Sequence, residues 1–89
     1  MAHGPDTAEL LSRISAMRNG YLNVSFLNIT NLPELPKTLK ELYCFNTQLN
    51  KLPELPKTLT HLYCDNTKIS ILPELPKTLT YLYCENTNI

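Results

Sequence analysis

The sequence predicts a solenoid of the α/β class, one coil of chain for each copy of a 20-residue unit, and three observations predict it. The octet Leu-Pro-Glu-Leu-Pro-Lys-Thr-Leu occurs at Leu32–Leu39, Leu52–Leu59 and Leu72–Leu79. Each copy is followed by x-x-Leu-Tyr-Cys-x-Asn-Thr, ending at Thr47, Thr67 and Thr87, so the period holds without a slip. Two prolines three residues apart in every octet forbid a helix there, since proline lacks the amide donor and forces its predecessor into extended geometry. Self-similarity at such a period marks stacked repeats, each too small to bury its apolar face alone.

At the N-terminal end, residues 6–18 read as a helix. Asp6 is placed to cap its first turn, with Glu9 three residues on as in a capping box and Pro5 just before. Leu10, Leu11, Ile14 and Met17 make an apolar stripe at helical spacing, and Gly20 is the expected terminator. The helix has one evident task, to cover the leucines of the first coil. Residues 1–20 are thus read as the cap and 21–89 as repeats: one partial unit, then three 20-residue units, the last cut short.

The partial copy is visible because Leu22, Val24, Ile29 and Leu32 stand one full period before Leu42, Cys44, Leu49 and Leu52. Within a full unit, Leu42 and Cys44 face one side and Tyr43 and Phe45 the other, as alternation along a strand requires. Short strands are therefore expected at Leu42–Phe45, Leu62–Asp65 and Leu82–Glu85. The Leu-Pro-x-Leu-Pro stretches should return as polyproline II. Stacking at roughly 4.8 Å per coil aligns six inward ladders. They are Leu39/Leu59/Leu79, Leu22/Leu42/Leu62/Leu82, Val24/Cys44/Cys64/Cys84, Ile29/Leu49/Ile69/Ile89, Leu32/Leu52/Leu72 and Leu35/Leu55/Leu75. Thr47, Thr67 and Thr87 fall at the turn after each strand, placed for a side-chain oxygen to satisfy a buried amide of the adjacent coil.

The pattern LxxLxCxxTxLxxLPxLPxx, running from Leu22 to Ile89, resembles the leucine-rich-repeat family. It is most similar to the short bacterial type of type III effectors of the YopM and IpaH kind, in which Leu-Pro-x-Leu-Pro marks the convex side. The resemblance implies short parallel strands on a concave side and, by extension, an effector-like protein-binding role in a host cytoplasm. Two departures stand out. Thr47, Thr67 and Thr87 occupy the family's usual asparagine place, with Asn46, Asn66 and Asn86 one position earlier. The strand's inward position holds Cys where the family more often has an aliphatic residue. The 89 residues contain no counterpart of the ubiquitin-ligase domain of IpaH-like effectors.

Composition excludes several function classes. Eight Lys and Arg balance eight Asp and Glu, leaving no basic footprint for nucleic acid or an anionic membrane. No apolar run reaches the ~20 residues needed to span a bilayer. The N-terminus, where Met1–Gly4 read as a start or a cloning remnant, lacks the pattern of a secretory signal. The glycosylation-type triplets at Asn23 and Asn28 therefore carry no weight. An odd cysteine count argues against a disulfide framework and for a reducing, cytoplasmic compartment.

Chemistry is sparse. Cys44, Cys64 and Cys84 share an inward position, which suits either a soft-metal or redox ladder or a row of small buried hydrophobes. A spacing of one whole repeat matches no zinc motif and no inward histidine accompanies it, so the hydrophobe reading prevails. His61 and Cys64 lie on opposite faces of one strand and cannot act as base and nucleophile. No Gly-rich phosphate loop or paired-carboxylate site is present. Neither an enzyme nor a cofactor is expected.

The outward strand positions are different in kind. Tyr43, Tyr63 and Tyr83 form one ladder; Glu41, His61 and Tyr81 flank it on one side, Phe45, Asp65 and Glu85 on the other. Stacked tyrosines also stabilise a sheet by cross-strand pairing. Their neighbours, however, vary from coil to coil over an invariant scaffold, which is what a recognition surface requires, and Tyr suits interfaces. The expected function is a protein-interaction scaffold whose partner meets these nine residues. A second reading, a structural or self-assembling unit, a truncated or engineered array, rests on the uncapped end at Ile89, where an open strand edge would invite homo-oligomers. Glu34/Lys37, Glu54/Lys57 and Glu74/Lys77 read as solvated rows on the convex side.

Overall fold

In the computed structural model, which describes residues 6–89, the order of elements is α1 (Thr7–Ser15), β1 (Tyr21–Asn23), β2 (Glu41–Tyr43), β3 (His61–Tyr63) and β4 (Tyr81–Tyr83). The strands form one parallel sheet in sequence order, β1-β2-β3-β4, and the helix abuts β1. Register follows the repeat: Leu22 pairs with Leu42, Leu42 with Leu62 and Leu62 with Leu82. The expected leucine-rich-repeat solenoid is therefore the fold. Its strands begin one residue earlier than the sequence suggested and are shorter, three residues each. Pairing nevertheless continues beyond them, through Cys44 N–H to Tyr63 O at 2.8 Å and Asn46 N–H to Asp65 O at 2.9 Å.

The inward ladders fill the core. Leu39, Leu42, Cys44, Leu49, Leu59, Leu62, Cys64 and Ile69 are all fully buried, as are Leu22 and Val24 near the cap. Burial relaxes in the fourth coil, where Leu72, Leu79 and Cys84 are half-covered and Leu75, Leu82 and Ile89 exposed. One core residue has no counterpart in the other coils: Leu27 is buried at the place that Thr47, Thr67 and Thr87 occupy.

Those threonines work within their own coil, contrary to expectation. The Thr47 and Thr67 hydroxyls each donate to the strand-end carbonyl three residues back, Cys44 O and Cys64 O, at 2.9 Å. They satisfy a carbonyl there, because the left-handed turn at Asn46 and Asn66 (φ 55° and 56°) folds the chain back over it. Threonine bridges between coils come from the octet and from the residue after it, where Thr60 and Thr80 donate to Lys40 O and Thr60 O. Thr58 Oγ1 donates to Leu39 O at 2.6 Å, and Thr78 Oγ1 to Leu59 O at 2.8 Å.

The cap also departs from expectation. The helix ends at Ser15, and Asp6 makes no side-chain capping bond within it. Instead, the Asp6 carboxylate accepts the Asn28 N–H at 2.7 Å, while Asp6 N–H donates to Asn28 O at 2.8 Å. Glu9 pairs with Arg13 at 2.9 Å, and Arg13 Nη1 donates to Asn23 O on the edge of β1. Leu10 is buried and Ile14 and Met17 pack on the core, but Leu11 points away and is exposed. Nor does Gly20 terminate the helix. At φ +76° it opens the first coil, its carbonyl taking the Lys40 and Glu41 amides at 2.7 and 3.0 Å. Pro5, expected just before the helix, and Met1–Gly4 lie outside the described residues.

Candidate functional site

Alternation along three-residue strands sends one side chain inward and its two neighbours outward, and the same alternation carried two residues past each strand adds a third outward row. The central row is the tyrosine ladder. Tyr43 and Tyr63 stack with ring centroids 4.7 Å apart and planes within 3°, and Tyr63 and Tyr83 with 4.9 Å and 7°. The spacing is that of the strands themselves, so identical rings in register stack by translation. Their faces are turned to one another, leaving ring edges for a visitor.

The row at the start of the strands is polar and coupled to the ladder. Glu41 accepts a short hydrogen bond from the Tyr43 hydroxyl. That bond, then burial, pushes the Tyr43 phenol up to about 12, because ionisation would set two anions side by side. Burial and neighbouring Tyr83 push Tyr63 in the same direction. His61 stacks on Tyr81 at 4.5 Å, and its Nδ1 lies 3.9 Å from the Glu41 carboxylate. The Thr60 hydroxyl sits 2.7 Å from that nitrogen and 3.1 Å from Lys40 O, bridging the His61 ring to the preceding coil.

The third row lies at the ends of the strands. Phe45, Asp65 and Glu85 occupy it, with Asp65 accepting the Glu85 amide at 2.8 Å. Sequence reasoning missed a residue that packs against its first aromatic member. Phe26 stands one repeat before Asn46, at φ +68°, and packs edge-on against Phe45 with centroids 5.4 Å apart. It is 71% exposed. The period that aligns the other coils also aligns Phe26 with the three asparagines, so the signal was present in the exception. Beneath it, the buried Ser25 hydroxyl has no hydrogen-bond partner among the described residues. All nine sequence-predicted residues, Glu41, Tyr43, Phe45, His61, Tyr63, Asp65, Tyr81, Tyr83 and Glu85, thus sit on or beside one sheet.

Elsewhere the surface offers little chemistry. Cys44, Cys64 and Cys84 are free thiols; burial pushes Cys44 strongly upward and Cys64 up to about 12, far from a nucleophile at neutral pH. Among the described residues no group of His, Cys, Asp and Glu is arranged to hold a metal, and no helix is long and apolar enough to cross a membrane. Shallow grooves run between adjacent convex segments, one lined by Leu35, Pro53, Leu55 and Pro56.

No protein-family model matches the sequence, and no curated protein matches it either. Solved structures do. The leucine-rich-repeat domain of a Shigella effector superposes with a TM-score of 0.91 over 98% of this chain, at 34% identity. YopM, a leucine-rich effector protein from Yersinia pestis, superposes with a TM-score of 0.88 over 94% of this chain, at 33% identity. The chain spans 41% of the first and 25% of the second. YopM from Yersinia enterocolitica, at 20% identity and a TM-score of 0.54 over 98% of this chain and 30% of that one, shares the fold. With a 20-residue unit, a parallel sheet in sequence order and these neighbours, the chain belongs to the leucine-rich-repeat family in its short bacterial form.

Proposed function

We propose that the chain is a non-catalytic scaffold that binds a partner protein through the outward face of its sheet. Solenoids of this kind offer an extended surface on a repeated frame, and two solved neighbours are the repeat domain of an effector and a leucine-rich effector protein. One observation carries the reading: the inward ladders repeat almost without change, whereas the rows flanking the tyrosines change at every coil, Glu41 to His61 to Tyr81 and Phe45 to Asp65 to Glu85. Packing explains the constant set and leaves the varied one to contact. Tyrosines already stacked lose little side-chain freedom on binding, which favours them as interface residues. A cytoplasmic setting, bacterial or host, accords with three unpaired thiols.

The test is Tyr63→Ala and Tyr83→Ala against a partner identified by cross-linking, with affinity measured by calorimetry. Each substitution is expected to weaken binding about tenfold or more. Unchanged affinity in folded variants would place the partner on another face.

A further inference from the structure

The sheet face is charged in one sense although the whole chain is neutral. Glu41, Asp65 and Glu85 lie in its rows, and none of the eight Lys and Arg residues does. Lys40 precedes β2, and Arg13, which meets the edge of β1 through Asn23 O, is already paired with Glu9. Along the strand-end row the character changes in order. Phe26 and Phe45 make an apolar pair beside the cap; Asp65 and then Glu85 follow in the next two coils.

Phe26 is the odd member. A bulky residue at φ +68° is strained, and the other three coils place asparagine there, at φ 55° to 57°. The contact with Phe45 uses one edge of the ring and leaves most of it in water. Strain held for an exposed ring points to a role outside the folded chain.

Resting on the sheet-face reading above, we infer that this face docks a cationic segment of the partner, with an apolar side chain seated on Phe26 and Phe45 and Arg or Lys side chains meeting Asp65 and Glu85. Two coil steps, roughly 10 Å, separate the Phe45 and Glu85 positions. Three residues of extended chain or two turns of helix cover that distance. Charge complementarity selects the cation, and the aromatic pair fixes its register.

The experiment is selection of a phage-displayed random 12-residue peptide library on the whole chain, followed by affinity measurement of recovered synthetic peptides. Recovered peptides are expected to carry net positive charge and an apolar residue, and to bind more weakly as salt is raised. Phe26→Asn, which installs the residue that the other coils use and so preserves the turn, is expected to weaken them about fivefold. Asp65→Asn with Glu85→Gln, which keeps the acceptor for the Glu85 amide, is expected to cost about tenfold. Neutral or acidic peptides, basic peptides indifferent to all three substitutions, or no recovered peptide at all would each overturn the inference. Neutral or acidic peptides that still lose affinity with Tyr63→Ala would leave the sheet-face reading standing; peptides indifferent to Tyr63→Ala as well would remove both.

Discussion

Asp6 and Asn28 are joined twice, backbone to backbone at 2.8 Å and carboxylate to amide at 2.7 Å, across 22 residues of chain. This pair ties the N-terminus of the helix to the turn of the first coil. A capping box would have spent the same carboxylate on the helix's own amides.

Asp6→Ala should therefore destabilise the fold by about 1–2 kcal/mol, since a hydrogen bond to a charged group is lost. Amide exchange should speed at Asn28 above all. Glu9→Gln removes only an exposed i,i+4 pair and should cost no more than about 0.5 kcal/mol. Urea denaturation and exchange monitored by NMR check both, and equal costs would restore the capping box.

Gly20 yields a second test. An alanine Cβ there would stand 2.9 Å from Thr38 O and from Lys40 Cγ, on a backbone at φ +76°. The lysine can move; the carbonyl belongs to the turn that delivers Lys40 and Glu41 to Gly20 O. Gly20→Ala is expected to cost about 1–3 kcal/mol, read as a fall in the urea midpoint. Gly at the end of an ordinary helix would tolerate the change far better.

How much of this was legible depends on whether the repeat constrains the residue. Leu42, Cys44, Leu59 and Ile69 were readable because every coil poses the same packing problem and the period sets their phase. The nine outward residues were readable for the same reason, with faces reversed. Asp6 and Gly20 were misread, because each occurs once and its partner lies a whole coil away, beyond any local rule. The threonines were half-read. Their need for a buried backbone partner was clear, but the left-handed turn at Asn46 and Asn66 selects the coil's own carbonyl. Phe26 was missed because attention to what repeats hides what does not.

Burial along the leucine ladder gives a graded prediction. Leu39 and Leu59 are fully buried between neighbouring coils, and Leu79 is half-covered. Leu59→Ala should cost about 2–5 kcal/mol, since the cavity is walled on both sides. Leu79→Ala should cost less, because solvent already reaches it and less apolar surface is lost from burial. Equal losses by urea denaturation would mean that stability does not follow the stacking of coils.

Alkaline pH offers the last test, and its sign follows from the thiols. Burial holds Cys64 at about 12 and Cys44 higher still, against an ordinary value near 9. The folded chain thus keeps protons that the unfolded chain releases above pH 9. Stability from the neutral thiols is intact below that value and is lost as pH rises toward 12. Tyr43 acts in the same sense from its ordinary value of 10, through its bond to Glu41. Urea midpoints should therefore hold level to pH 9 and then fall. Cys64→Ala should lower the plateau and flatten the fall, whereas Tyr43→Phe should flatten only its upper part. Alkylation adds an independent readout at neutral pH: half-exposed Cys84 should react first, while Cys44 and Cys64 react only as fast as the coils open. Rapid modification of all three thiols in the folded chain would contradict both the burial and the pH profile drawn from it.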